Sequence, residues 1–547
     1  MSQSEPRAAL KHLLSGLPLA AELSQWLKPG HAVPIGGYSL DRLTEALPDW
    51  IATAEVARAS AVLARPRRIL IIGYLRWWLE YACALGLLLS GMGHTVEVGF
   101  LPFQRWTLPL EPFDVRRQRI YLRRVLGRLS PRVGIRDLGA GRRHNLPLAL
   151  EEDLEALSRI DVQYTLMREI LDLSAGTPDS ELMALRRRRN RAAAWAVTDL
   201  LSQNAYDAVI VPNGSVLEFG AIYRTARHFG VPVVTFEFGE QGERMWLAQD
   251  AEVMRLDMSD LWQARGADWL TESEMAAIQT LEQARRGGRP WANFGRLWQA
   301  AESQGAQAAR RQLNLDPARP VVLLCTNVVA DSLALGCELF TEGMAGWLAL
   351  TVRYFADHPE AQLVVRVHPG ELLGAGHTSV EIVQGTLPQL PPHVTVVPPE
   401  SPLNTYDLME LAHFGVTYTT TAGLEMAMNG VPVVVSGNTH YRGKGFTHDP
   451  DSAQEYLATL DRLLKEPLRH RLDPRLAELA WRYAYLFFFE YPLPFPWHVE
   501  HFWENVAAVP LEAMLDPLQR APYQAALDAL VGLPIDWNRR TGPGSAA

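Results

Sequence analysis

The chain has little cysteine. Three in 547 residues, Cys83, Cys325 and Cys337, are too few for a disulfide framework, and their spacing suits neither a metal nor a redox pair. The first two lie in apolar runs, and a reducing cytoplasm is the compartment they fit. The N-terminus has no basic-then-apolar signal pattern. The longest apolar stretch, Tyr81 to Met92, is far shorter than the roughly 20 residues a membrane span needs. The protein is therefore expected neither to be secreted nor to cross a bilayer. Gly-x-Gly-x-x-Gly, a Walker loop, His-Glu-x-x-His and Gly-x-Ser-x-Gly are also missing. Their absence weighs against dehydrogenase, NTPase, zincin and hydrolase chemistry. There is no solenoid-period repeat and no low-complexity run.

What is present is an ordinary globular composition, 48% hydrophobic and 21% charged. A chain of 547 residues exceeds one core and predicts two domains with appendages. A net charge of −9 argues against nucleic acid as the main partner, yet positive charge is concentrated. Arg116 to Arg143 holds ten arginines against one acid, Asp137, and Arg186-Arg187-Arg188-Arg189 with Arg191 follow. Either run can be a solvated helix face, the commoner case. The sharper reading is a patch for anionic lipid or a phosphorylated acceptor.

Hydrophobic patterning sets the organisation. Residues 1–65 read as a helical extension, broken at Pro34 to Gly37. Arg68–Gly73 reads as a buried parallel strand, a helix runs to Ser90, and Thr95–Phe100 closes a βαβ opening. A basic, mainly helical insertion is expected over about 104–203. Strands resume at Ala208–Val211 and Val231–Phe236, which gives an acceptor-side Rossmann-like domain over 66–264. Residues 265–318 form a helical interdomain segment. A second parallel set then defines 319–470: Pro320–Cys325, Leu363–Val367, Val394–Val397, Val416–Tyr418 and Val431–Val435. In the tail, 471–547, Tyr483, Phe487 and Tyr491 sit at helical spacing. That spacing predicts packing back on the first domain in preference to membrane contact. The fold class is α/β: two doubly wound, Rossmann-like parallel-sheet domains facing a cleft, with a helical extension and a helical tail.

Ligands of such sheets bind beyond the carboxyl ends of the strands. In the second half those ends are Thr326-Asn327, His368-Pro369, Ser401-Pro402, Thr419-Thr420-Thr421 and Gly437-Asn438. A purely structural sheet needs no such agreement on small polar groups. Thr420, Thr421 and Gly423 stand at a strand-to-helix turn, where backbone N–H groups and the positive helix end favour phosphate. His368, held by Pro369, can cap its loop or donate to a phosphate as a neutral or cationic imidazole. Arg366, inside a strand, needs a carboxylate or a phosphate, and a salt bridge is the commoner use. Thr421 is a natural N-cap. Glu425 lies one residue past the capping-box position, so helix dipole or ribose hydroxyls are its open readings. In the first half Glu237 follows its strand and is a candidate general base or a plain loop carboxylate, with Glu240 and Glu243 competing.

These residues, with Gly430-Val431-Pro432-Val433 and the run from Gly437 to Thr447, resemble bacterial capsule polysaccharide biosynthesis proteins, relatives of the Kdo transferases. The resemblance covers mainly 320–500. It implies a GT-B glycosyltransferase with the donor nucleotide on the C-terminal domain. His368, Thr420 and Thr421, with Gly423 and Ser401, then meet the donor phosphate. Asn327, Glu425, Asn438, Tyr441 and Lys444 lie near the nucleoside or sugar. The family's acidic-acidic-Gly motif finds its nearest match in Glu237-Phe238-Gly239, with Phe in the middle, which makes Glu237 the expected base. The expectation is a cytoplasmic enzyme; association with the inner membrane face through Arg116 to Arg143 is the sharper of the two readings of that run. Its partners would be a nucleotide-sugar co-substrate such as CMP-Kdo and a glycan or glycolipid acceptor. No metal and no cofactor is expected, because the hydroxyls, His368 and the helix dipole supply the positive field. The alternatives are polyol phosphate transfer from a CDP-activated donor, or a catalytically silent subunit of a polysaccharide assembly or export complex.

Overall fold

The computed structural model describes residues 14, 17, 19–27, 38–63, 65–102, 107, 109, 111–289, 301–374, 376–466 and 470–543. The chain divides into two compact units. Met1–Arg159, Leu173–Val253 and Leu493–Ile535 form the first; Ile160–Asp172, Met254–Pro492 and Asp536–Ala547 form the second.

The first unit is built on a seven-stranded sheet. Its strands are β1 (Arg68–Gly73), β2 (Thr95–Phe100), β3 (Val133–Asp137), β4 (Ala208–Pro212), β5 (Val233–Glu237), β6 (Arg244–Gln249) and, late in the chain, β12 (Leu493–Pro494). Their order is β12-β6-β5-β4-β1-β2-β3. Ile69 pairs with Val96 on one side and Ala208 on the other, so the apolar core of β1 is central. Helix α1 (Arg76–Gly91) is apolar nearly all round and buried from Trp78 onward, as a helix inside a large core must be. A Cβ at Gly73 would press on the Leu79 backbone at 3.1 Å, so glycine allows the close β1–α1 turn.

Two expectations change here. The 104–203 insertion is not only helical, because β3 lies within it and extends the sheet beside β2. A five-residue Val-Gly-Ile-Arg-Asp run with two charges gives little periodic signal. Nor is the sheet wholly parallel: β6 runs antiparallel to β5, and β12 antiparallel to β6.

The arginine runs are largely paired inside this unit. Arg116 meets Glu22 at 2.8 Å, Arg132 meets Glu55 at 2.9 Å, and Arg119 and Arg123 share Asp137 at 2.9 and 3.0 Å. Arg136 holds Glu97 at 2.7 Å. Arg187 pairs with Glu155, and Arg191 with Glu151 at 2.6 Å. Arg186 and Arg189 close on the buried Glu218 at 3.0 and 2.5 Å. Acids, most of them from distant segments, thus offset part of the positive charge of these runs.

The second unit has five parallel strands, β7 (Val321–Cys325), β8 (Gln362–Arg366), β9 (Val394–Val397), β10 (Phe414–Thr417) and β11 (Val433–Val435), in the order β11-β10-β7-β8-β9. Val322, Leu324, Leu363, Val365 and Val416 pack with Trp347 and Phe355 of the helix Gly343–Ala356 in one buried cluster. Burial on both faces explains the unbroken apolar runs of these strands.

The aromatic tail belongs to this second unit up to Pro492, and only Leu493–Ile535 joins the first. The expectation that the whole tail returns to the first domain is corrected accordingly. Tyr483, Phe487 and Tyr491 are buried, on a helix (Pro474–Tyr485) that continues as a π-turn through Glu490. The reason is local: the His440 ring stacks on Phe487 at 4.2 Å, and Tyr483 donates to the His440 carbonyl at 2.7 Å. Among the described residues no helix is long and apolar enough to cross a membrane.

Candidate functional site at the strand ends of the second sheet

The hydroxyl-rich turn leaves β10 and enters a short helix, α2 (Ala422–Met428). It is held from several sides. The Thr419 N–H donates to Asn327 Oδ1 at 3.1 Å, and the Thr419 hydroxyl donates to the Leu333 carbonyl at 3.2 Å. The buried Tyr441 donates its hydroxyl to the Thr420 carbonyl at 2.7 Å. A Cβ at Gly423 would collide with that same hydroxyl. Asn327, Tyr441 and Gly423, expected as ligand contacts, also shape the turn itself.

Thr421 does not cap the helix as expected. Its backbone is already helical, at φ −60° and ψ −15°, and its side chain makes no cap bond. An N-cap residue instead takes an extended backbone, which turns its side chain back on the first amides. Thr420 takes part of that task, accepting from the Ala422 N–H at a long 3.4 Å. The Thr421 hydroxyl takes no part in capping this helix.

His368 ends β8's run. Its N–H donates to Thr326 Oγ1 at 3.0 Å, and its Nδ1 accepts from the Gly370 N–H at 3.0 Å. That bond places the ring proton on Nε2. Burial, helped by Arg366, holds the imidazole pKa down to about 4. His368 is therefore a neutral Nε2–H donor, which decides between the two protonation states left open by the sequence. Arg366 departs from expectation too. Its guanidinium bonds the Pro398 carbonyl at 2.8 Å and the Thr405 hydroxyl at 3.3 Å, both neutral acceptors. Among the described residues it makes no salt bridge, and these contacts leave its charge uncompensated.

The remaining expected residues divide. Ser401 accepts from the Leu403 N–H at 3.3 Å, which closes its own turn. Glu425 is buried and paired with Arg285 at 2.9 Å. Its carboxylate thus neutralises a partner, a role neither the dipole nor the ribose reading foresaw. Arg285 comes from the helix Glu272–Arg286, whose position gave no sequence signal. The Asn438 N–H donates to the Cys337 carbonyl at 2.9 Å, and its side chain is exposed. Lys444 is half-buried and forms no ion pair among the described residues. An Asp-x-Asp triplet, Asp449-Pro450-Asp451, escaped the sequence reading. Its carboxylates are engaged locally: Asp449 by the Gly443 N–H and the Thr447 hydroxyl, Asp451 by Arg442.

In the first unit Glu237 is the last residue of β5, opposite Trp246 of β6. Asn213 Nδ2 donates to Glu237 Oε2 at 3.2 Å, and the Phe238 N–H donates to Oε1 at 3.1 Å. Phe238 is buried against the rings of Trp78, Tyr81, Phe236 and His498. An acid at this middle position would be desolvated among rings, which accounts for the single carboxylate. Gly239 has no left-handed backbone; a Cβ there would meet the Trp246 ring at 2.6 Å. Glu243 is exposed and Glu240 half-buried.

Residues 291–468, about a third of the chain, match the model of the family described as capsule polysaccharide biosynthesis protein. This bears out the resemblance read from the strand-end motifs, all of which from Asn327 to Lys444 fall inside the match. No curated protein sequence matches the chain. Among solved structures, the chain is similar to a Thermosulfurimonas dismutans KpsC beta Kdo 2,4 transferase, with 17% identity and a TM-score of 0.35. That alignment covers 53% of this chain and 82% of the other. A UDP-GlcNAc 2-epimerase from Neisseria meningitidis bound to UDP-GlcNAc aligns at 13% identity and a TM-score of 0.24, covering 76% and 94%. Likenesses of this size carry no inference about chemistry.

Proposed function

We propose that this protein is a glycosyltransferase of cell-surface polysaccharide biosynthesis that takes its sugar from a nucleotide-activated donor, with CMP-Kdo the first donor to try. The observation behind the proposal is the shared construction of the strand ends. Asn327 ties β7 to the turn after β10, and Thr326 ties β7 to His368 after β8. We take the Thr420 and Thr421 hydroxyls and the His368 imidazole, at strand ends cross-linked in this way, as the donors that meet the phosphate. Arg366 and Lys444 add positive charge without carboxylate partners among the described residues.

In the proposed reaction the acceptor hydroxyl attacks the anomeric carbon as its proton passes to Glu237. The bond to the nucleotide phosphate breaks, and the departing oxygen is met by hydrogen bonds from Thr420, Thr421 and His368. Thermal unfolding with CMP, CDP, UDP and GDP tests the nucleotide site, since a ligand at 100 times its Kd adds about 2.7 kcal/mol. Sugar transfer from the nucleotide that binds best tests the activity. Product that carries the donor's phosphorus would replace glycosyl transfer with polyol phosphate transfer. Binding with no turnover of any donor would leave a silent assembly subunit.

A further inference from the structure

We infer that Asn213 is a positioning residue for Glu237, built into the β4–β5 strand ends to hold that carboxylate ionised and oriented. The inference deepens the proposed function and rests on it only for the meaning of Glu237, not for the geometry. The turn after β4 is unusual in its backbone. Asn213 sits at φ 60° and Gly214 at φ 80°, two successive left-handed residues. That conformation is costly for most side chains and tolerable for Asn and Gly. A Cβ at Gly214 would meet Thr235 Cγ2 at 2.6 Å, so the turn lies hard against β5. Asn213 Oδ1 accepts from the Ser215 N–H at 3.0 Å, which fixes the amide so that Nδ2 must face the other way. There it donates to Glu237 Oε2 at 3.2 Å. The Phe238 N–H donates to Oε1, so both carboxylate oxygens are engaged. Hydrogen bonds to the charged form favour that form. The left-handed turn thus aims one amide at one carboxylate.

Asn213→Asp separates this role from turn formation. Its carboxylate still accepts from the Ser215 N–H, but it turns the donor facing Glu237 into a like charge. The protonation of Glu237 can be read directly by carbodiimide labelling as a function of pH, followed by peptide mass spectrometry. The ionisable groups next along the chain are Glu240, Glu243 and Arg244, and the His498 ring lies against Phe238. All are common to both proteins, so the difference isolates Asn213. The labelling midpoint should rise by about one pH unit or more in Asn213→Asp. Asn213→Gly, which tolerates the left-handed backbone, should raise it by less. An unchanged midpoint in folded Asn213→Asp overturns the inference. So does a rise in the Asp variant with none in the Gly variant, since the added charge alone would then explain it. Glu237→Gln that keeps full transferase turnover would sink the base reading while leaving the labelling result intact.

Discussion

Replacing both Thr420 and Thr421 by Val removes two hydroxyls while keeping branched side chains of nearly the same shape. The structure sets the size of the effect. Thr420 Oγ1 accepts only one long bond, 3.4 Å from the Ala422 N–H, and Thr421 makes no cap bond. Folding stability should therefore fall by less than about 1 kcal/mol. A hydroxyl-to-phosphate bond is charge-assisted, worth roughly 1.5–3 kcal/mol. Taking the low end for each and allowing for non-additivity, nucleotide affinity should drop between about tenfold and hundredfold, tenfold being about 1.4 kcal/mol. Isothermal titration with the nucleotide giving the largest thermal shift measures it. Thr419→Val is the control. Its hydroxyl holds the Leu333 carbonyl, so it should cost roughly 1 kcal/mol of stability with a smaller change in affinity. Unchanged affinity in a folded double variant would remove the phosphate site from this turn.

Tyr441→Phe removes the donor to the Thr420 carbonyl inside the core, and should cost about 1–3 kcal/mol in chemical denaturation while weakening nucleotide binding through the turn. Stability at or above wild type would show that the turn does not depend on that bond. Glu237→Gln keeps the side-chain shape and removes the base, so turnover should fall on the order of 10²–10⁴-fold with nucleotide affinity spared. Glu240→Gln and Glu243→Gln should lose much less, and collapse of either instead moves the assignment to it. Burial alone would raise the pKa of Glu218, but Arg186 and Arg189 override it and hold the carboxyl at about 2. A depressed carboxylate stabilises the fold fully above its unfolded pKa and loses that contribution as pH falls towards 2. Glu218→Gln should therefore cost about 3–5 kcal/mol at pH 7 and flatten the acid limb below about pH 4.5. A variant as stable as wild type at pH 7 contradicts this.

The parallel strands were legible because burial on both faces forces unbroken apolar runs, as in Arg68–Gly73 and Val321–Cys325. β3, β6 and β12 were not, because an edge or antiparallel strand of two to six residues needs no such run. The pairing of the arginine runs was not legible for a different reason. A local window shows charge but not its partner, and Glu22 and Glu55 lie 94 and 77 residues from Arg116 and Arg132. Only the tertiary fold reveals which arginines of such a run are paired.

The strand ends show a subtler limit. Residue type and position placed Thr420, Thr421 and His368 correctly at one sheet edge, since the carboxyl end of a strand is fixed by the strand itself. They could not say which groups point outward. Tyr441 has the composition of a sugar contact, yet full burial and a 2.7 Å bond to the Thr420 carbonyl make it a support. Glu425 has the composition of a ribose contact, yet Arg285 claims it. A motif selected for a binding turn must retain the side chains that hold the turn as strictly as those that touch the ligand. The two kinds then look alike in sequence, and substitutions separate them only when stability and affinity are read together. A supporting residue moves both. A contacting one moves affinity alone.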